Sequence, residues 1–296
     1  MRVLVSGASG LVGTALGETL RAQGHEVGRL VRRPAQGADE VSWDPGKDQL
    51  EAGDLAGFDA VVHLAGENVS GGRWTQARKK RILESRVKGT RLLAERLAAL
   101  ESPPSVWVSA SAIGLYGDRG DEILDEAKQP GTGFLADVCS RWEAATASAP
   151  DGVRVVRLRI GLVLSERGGA LAKMLPAFRA GLGGRLGDGR QYMSWITLED
   201  LVAAIGRALE DPSLEGAVNA VSPGAVTNKE FTATLGRVLR RPTVVPAPAA
   251  ALRLALGEMA DELLLASARV VPRRLEEVGF EFRWPSLEGA LKHLLG

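Results

Sequence analysis

Arg2-Val3-Leu4-Val5-Ser6-Gly7-Ala8-Ser9-Gly10-Leu11-Val12-Gly13 is the stretch on which the rest of the chain turns. Val3 to Val5 form a short apolar run of the kind that fills a buried strand, and after the glycines the sequence resumes as a Leu- and Ala-rich helix. The spacing Gly7-x-x-Gly10-x-x-Gly13 suits a strand-to-helix turn that holds a pyrophosphate. Gly7 permits a tight turn, Gly10 lets backbone N–H groups approach the phosphates, and Gly13 lets the helix pack closely on the sheet. The unclaimed N–H groups and the positive end of the helix dipole would then face the anion. A dinucleotide site is expected here.

Working outward, strands and helices alternate. The expected order is a helix over 11–23, a strand over 25–31, a short strand over 40–43 and a clear one over 59–64. A long crossover helix over 75–100 is stopped by Pro103-Pro104, and a strand over 106–110, a helix over 134–147 and a strand over 153–160 follow. This rhythm implies parallel βαβ units and an α/β, doubly wound parallel sheet. Beyond Ser165 it changes. An amphipathic helix over 170–181 leads into a glycine-rich run at 183–189, and a strand is expected over 217–221. Thr197-Leu198-Glu199-Asp200 and Thr227-Asn228-Lys229-Glu230 read as capping boxes. A proline-punctuated set of short helices closes the chain. The division expected is a dinucleotide-binding Rossmann domain over 1–225, with a substrate-side insert near 165–195, and a small, mostly helical lobe over 226–296.

Composition excludes several functions. The 296 residues carry a formal net charge of +1 with 45% apolar and 25% charged residues, which leaves no electrostatic footprint for nucleic acid or anionic membrane. Arg78-Lys79-Lys80-Arg81 reads as the solvated face of a helix. One cysteine, Cys139, and three scattered histidines exclude an internal disulfide and argue against a metal site. Neither a signal peptide nor an apolar run long enough to span a bilayer is visible, so a cytoplasmic protein is expected, as monomer or homodimer.

At the end of the second strand an acidic residue would bond a ribose 2′-hydroxyl, whereas arginine suits a 2′-phosphate. The chain places Arg32 and Arg33 there, so the expected cofactor is NADP(H).

The glycine turn, Leu64-Ala65-Gly66 and the Ser109-Ala110-Ser111 run before Tyr116-Gly117 resemble the extended short-chain dehydrogenase/reductases, the group of the sugar-nucleotide epimerases. More narrowly, Leu64-Ala65-Gly66-Glu67-Asn68, Arg73-Trp74, Ser85-Arg86, Phe134-Leu135-Ala136, Trp142-Glu143, Ser194-Trp195-Ile196 and Val271-Pro272-Arg273-Arg274 resemble the atypical "epimerase family" proteins of that superfamily, which carry a small C-terminal domain of unknown function. The resemblance implies that Gly7, Ser9, Gly10, Leu11 and Val12 line the pyrophosphate and that Arg32 and Arg33 meet the adenosine phosphate. It places Leu64, Ala65 and Gly66 along the middle of the cofactor. Ser109 and the backbone around Leu158 and Arg159 should approach the nicotinamide. Lys173, Arg190, Gln191, Trp195 and Arg159 should face a small-molecule substrate, for which cations and an aromatic suit an anionic group.

The catalytic set departs from the superfamily. Ordinary members use a tyrosine as acid/base and a lysine four residues later, whose ammonium lowers the phenol's pKa and holds the ribose. Aligned on Glu143, the tyrosine position falls on Leu135 and the lysine position on Cys139, while Arg86 replaces the usual asparagine. Ser111 matches the remaining serine. Tyr116 and Glu67 are the other proton-donor candidates, and Cys139 is expected to be structural. The reading is an NADP(H)-dependent oxidoreductase or epimerase-like enzyme; the alternative is a protein that senses NADPH without turnover.

Overall fold

The computed structural model describes all residues, Met1–Gly296. In chain order, β1 (Arg2–Ser6), α1 (Leu11–Ala22), β2 (Glu26–Val31), β3 (Glu40–Ser42), β4 (Ala60–His63), α2 (Gln76–Ala98) and β5 (Val106–Ala112) build the first half. A two-residue β6 (Ile123–Leu124), α3 (Phe134–Ala144), β7 (Arg154–Ile160), β8 (Leu162–Leu164) and α4 (Gly169–Arg179) follow. Then come β9 (Tyr192–Met193), β10 (Trp195–Thr197), α5 (Leu198–Glu210), β11 (Gly216–Ala220), β12 (Val226–Thr227) and α6 (Asn228–Leu239). The C-terminal region holds α7 (Ala249–Leu256), α8 (Glu258–Ala260), a wide π-type turn (Asp261–Leu265), β13 (Arg269–Val270), α9 (Arg273–Glu277) and α10 (Leu287–Leu295). The expected strands and helices are all present. β5 runs two residues further than expected, α1 stops one residue earlier, and α2, α3 and α4 stop two or three residues earlier.

Seven strands form one parallel sheet in the order β11-β7-β5-β4-β1-β2-β3. The chain winds one way from β1 to β3 and the other way from β4 to β11, so the winding reverses between β1 and β4. In open α/β sheets that switch point opens the crevice in which ligands bind. Alternation sorts the strand residues by face. Val3, Val5, Val62, Val108, Val156 and Leu158 meet Leu16 and Leu20 of α1 and Leu201 and Ile205 of α5 in one core cluster. Leu4, Val61 and Trp107 meet Leu92, Leu93 and Leu97 of α2 in another on the opposite face.

The second face stops being apolar at the carboxyl ends of the strands. Ser6, His63 and Ser109 are register partners across β1, β4 and β5. One step further on, Ser111, Arg159 and Asn219 are partners across β5, β7 and β11. All six are buried. A parallel sheet covered on both faces normally carries apolar residues at such positions, so two polar rows single out this end of the sheet.

The C-terminal residues are bound into the main body. β13 pairs with β6, and β12 with β9. Leu287, Ala290 and Leu291 of α10 share a cluster with Phe231 and Leu235 of α6 and with Leu171 and Leu175 of α4. Of the two expected capping boxes, the one at Thr227 forms with Glu230. At Thr197 the hydroxyl caps Asp200, but the Asp200 carboxylate turns away and accepts from the amides of Arg283 and Trp284 at 2.9 and 3.2 Å. That acid tethers the C-terminal segment instead of closing a box.

Candidate functional site

The glycine turn is a bare cradle. Gly7 stands at φ +68°, and its carbonyl accepts from the Gly10 amide at 3.0 Å. No side chain caps α1, so the N–H groups of its first turn are unclaimed beside the exposed Ser9 and Gly10. A Cβ on Gly13 would collide with the Gly7 carbonyl and stand 2.7 Å from the Ala8 Cα. One on Gly7 would stand 2.9 Å from the Leu64 carbonyl carbon and 3.0 Å from the Ala65 nitrogen. The turn therefore lies against the exit of β4. Gly7, Ser9, Gly10, Leu11 and Val12 thus share a rim with Leu64, Ala65 and Gly66. Side-chain-free space and unclaimed amides at a helix N-terminus fit the pyrophosphate of a dinucleotide.

Ser6 fixes the meeting of β1 and β4. Its oxygen accepts from the Leu64 and Ala65 amides at 3.1 and 3.3 Å and shares a 2.6 Å hydrogen bond with His63 Nδ1. Burial, helped by the charge of Arg86, pulls the His63 ring down to about 3, so it is neutral near pH 7.

The two arginines after β2 divide. Arg33 makes a two-pronged pair with Glu40, both bonds 2.7 Å, and the Glu40 side chain is only 3% exposed. The Arg33 contact, ahead of the Gln36 amide, holds that carboxyl down at about 2. Arg32 is exposed, with no hydrogen bond or ion pair to the protein. The two arginines expected at the adenosine phosphate are thus unequally placed. Arg33 is bound to the wall of the site, and Arg32 is the free cation.

The expected proton donors separate as well. Tyr116 is fully buried. Its hydroxyl lies 2.7 Å from Asn219 Oδ1 and 3.1 Å from the Asp125 carbonyl, and it accepts from Arg159 Nη1 at 2.9 Å. Burial raises its pKa against the pull of Arg159. The hydroxyl expected to handle the substrate proton is therefore held by Asn219, Asp125 and Arg159 within the protein. Ser111 is buried too, donating to Glu143 Oε1 at 2.7 Å. Glu143 receives Arg159 in a fork of 2.9 and 3.0 Å. Burial works against the Arg159 charge, and the carboxylate more than reverses it, raising the guanidinium's pKa. The backbone of Leu158 and Arg159 is held in ladders on both sides of β7. Ser109 is buried with its Oγ unpartnered. Glu67, with a side chain 37% exposed, remains at the cleft, 3.8 Å from Arg78.

Leu135 and Cys139, at the tyrosine and lysine positions, are both buried on α3, and burial pushes the Cys139 thiol up to about 12. On the expected substrate side, Trp195 is core, its indole bonded to the Gly224 carbonyl, and Gln191 is buried and bonded to the carbonyls of Leu186 and Leu264. Arg190 is almost fully exposed. Lys173 alone reaches across, its ammonium 2.7 Å from Ser70 Oγ in the loop beyond β4. Two residues escaped the sequence reading. Glu262 accepts from the Phe134 and Leu135 amides at 2.9 and 3.0 Å, capping α3 from a position 128 residues away, for which no local signal exists. Asn219 had a signal, a lone amide in an otherwise apolar strand.

No group of His, Cys, Asp and Glu side chains is arranged to hold a metal ion, and no helix is long and apolar enough to cross a membrane. Comparison with known proteins gives two family matches, the NAD dependent epimerase/dehydratase family over residues 3–221 and a domain of unknown function, DUF1731, over 247–294. An epimerase family protein of Mycobacterium bovis, Mb2239, is 45% identical over 290 residues, covering 98% of this chain and 96% of that protein. The crystal structure of human epimerase family protein SDR39U1 (isoform2) with NADPH superposes with a TM-score of 0.93 at 37% identity, covering 99% of each chain. A nucleoside-diphosphate sugar epimerase from Corynebacterium glutamicum gives a TM-score of 0.82 at 39% identity, with all of this chain matching 58% of that one. With its parallel sheet, its glycine cradle and a family match over most of its length, the chain belongs to the NAD dependent epimerase/dehydratase family.

Proposed function

We propose that the protein binds NADPH in the crevice between β1 and β4 and serves as an oxidoreductase or epimerase-like enzyme toward a small molecule bearing an anionic group. The observation that carries this reading is the bare cradle at Gly7, Gly10 and Gly13, with the unpaired Arg32 at the end of the neighbouring strand. The crystal structure of the human relative with NADPH supports that choice of nucleotide. When bound, the cofactor supplies a hydride. The chain's own work is to seat it, exclude water and move a proton. Of the candidate donors only Glu67 has an accessible ionisable group, so it is the proposed proton carrier. Arg78 and Lys173 stand nearby to attract an anionic substrate. A second reading, NADPH sensing without turnover, draws on Leu135, Cys139 and Tyr116, which leave no phenol–ammonium pair at the cleft.

One experiment tests both. Purified protein loaded with NADPH is mixed in stopped flow with aldehydes, ketones and nucleotide sugars while cofactor absorbance is followed. Substrate-dependent oxidation that slows about 10²–10⁴-fold in Glu67→Gln supports the enzyme and its proton carrier. Tight NADPH binding with no oxidation by any substrate supports the sensor.

A further inference from the structure

Arg86 stands out among the cations of the chain. It projects from α2 beneath the loop that leaves β4, and a Cβ on Gly66 would stand 3.1 Å from its guanidinium carbon. Its ring-like plane lies over Trp142, 5.0 Å from the indole centre. Nη1 donates to the carbonyls of Glu67 and Ile82 at 3.0 and 3.1 Å. Nε and Nη2 donate to nothing in the protein, yet they are not among the atoms sealed away from the surface. No carboxylate lies within 4.0 Å of the group, because Glu67 turns its side chain to Arg78 instead. Burial lowers the guanidinium's pKa, opposed by Cys139 and Glu67. A charge half-withdrawn from water with no counter-charge is costly, and such groups are otherwise found paired.

Its place gives the vacancy meaning. Gly7 lies against the Leu64–Ala65 peptide, Gly66 follows, and the Arg86 guanidinium lies against Gly66, which places it beside the rim that the cradle shares with the exit of β4. On its far side stands α3, where Cys139 feels its charge. In the superfamily pattern that the chain resembles, a lysine stands on this helix and an asparagine on the facing one; here α3 has a buried thiol and α2 a guanidinium. We propose that Arg86 holds the nicotinamide-side ribose of the cofactor, its free Nε and Nη2 donating in parallel to the two neighbouring ribose hydroxyls, so that α2 supplies the cation that α3 lacks. A guanidinium edge offers two parallel N–H donors in fixed geometry, enough to meet two neighbouring oxygens at once, whereas an ammonium is a point charge with rotating donors.

This rests on the NADPH reading above, and the test separates the two. NADPH and adenosine 2′,5′-bisphosphate, which has the phosphorylated adenosine but no nicotinamide ribose, are titrated by calorimetry. The proteins are wild type, Arg86→Met, Arg86→Lys, Arg86→Asn and the double variant Arg86→Asn/Cys139→Lys. Arg86→Met should weaken NADPH about 10–100-fold and leave the bisphosphate within about twofold. Arg86→Lys, which retains the charge and reports on folding, should lose less. The double variant, with the cation moved back to α3, should recover most of what Arg86→Asn loses. Unchanged NADPH affinity in Arg86→Met, or equal loss of both ligands in every variant without rescue, overturns the assignment. A wild type that binds the bisphosphate but gains nothing from the nicotinamide half overturns it while leaving the cofactor site standing; a wild type that binds neither ligand overturns both.

Discussion

Ser6 and His63 are joined by a 2.6 Å hydrogen bond across the point where the winding of the sheet reverses. Because the Leu64 and Ala65 amides occupy the acceptor sites of the serine oxygen, its own hydrogen goes to His63 Nδ1, and the ring proton sits on Nε2, closed in without a partner. The exit of β4, and with it the floor of the cofactor cleft, therefore depends on a histidine that stays neutral.

Acid should unlock this contact. The His63 pKa is depressed from 6.5 to about 3, so its contribution to stability is complete above about pH 6.5 and is lost as pH falls toward 3. In that window the unfolded chain takes up one extra proton, a slope of about 1.4 kcal/mol per pH unit. Urea unfolding at pH 7, 6 and 5 should show the wild type losing stability faster than His63→Gln by about that slope. The other histidines are common to both proteins and cancel. Parallel losses would show that His63 does not govern the acid limb.

Tyr116, Arg159 and Glu143 should prove to be scaffold. Tyr116→Phe should cost about 1–2 kcal/mol of stability and leave NADPH affinity unchanged, since it removes one buried hydroxyl from a satisfied network. Arg159→Met strands Glu143 in the interior and should cost about 3–5 kcal/mol. Differential scanning calorimetry with a parallel NADPH titration checks both. A Tyr116→Phe protein with full stability and impaired turnover would return the tyrosine to the reaction.

Arg32 and Arg33 should differ in kind. Arg32→Ala should weaken NADPH about 10–100-fold with little effect on NADH, because it removes one charge-assisted contact to a phosphate. Arg33→Ala should instead lower the melting temperature, since it leaves the buried Glu40 carboxylate with only Arg29 and the Gln36 amide. Equal affinity of the wild type for the two nucleotides would remove the basis for the Arg32 statement, and an unchanged melting temperature in Arg33→Ala the basis for the other.

Cys139 should be silent toward thiol reagents. With a pKa pushed up to about 12 and a side chain 3% exposed, it carries almost no thiolate at pH 8. Labelling by a disulfide reagent should proceed only at the rate of unfolding and accelerate in urea. Fast stoichiometric labelling of the native protein would contradict this.

Much of the fold was legible in the sequence because it rests on local signals. The apolar run at 3–5, the three glycines and the proline stop at 103–104 each act within a few residues. The cradle was legible for the same reason, since glycine there is dictated by backbone approach. The occupation of individual side chains was not. Arg33 and Tyr116 carry the right chemistry at the right strand ends, yet Glu40 and the pair Asn219 and Arg159 claim them through contacts that no spacing rule encodes. At Thr197 the same competition moved Asp200 from its own helix to the amides of Arg283 and Trp284.

Glu262 carries a last lesson about where this molecule divides. The two family matches end at residue 221 and begin again at 247, and the interval between them invites a cut or a graft. The carboxylate that closes the first turn of α3 lies beyond it. A chain shortened at the gap would leave two amides of α3 bare beside the cleft. A transplanted C-terminal region would fit only if it brought an acid to the same spot. The joint visible in comparisons of sequence is thus no joint in the architecture, for the tail is the keystone of a helix laid down half a chain earlier.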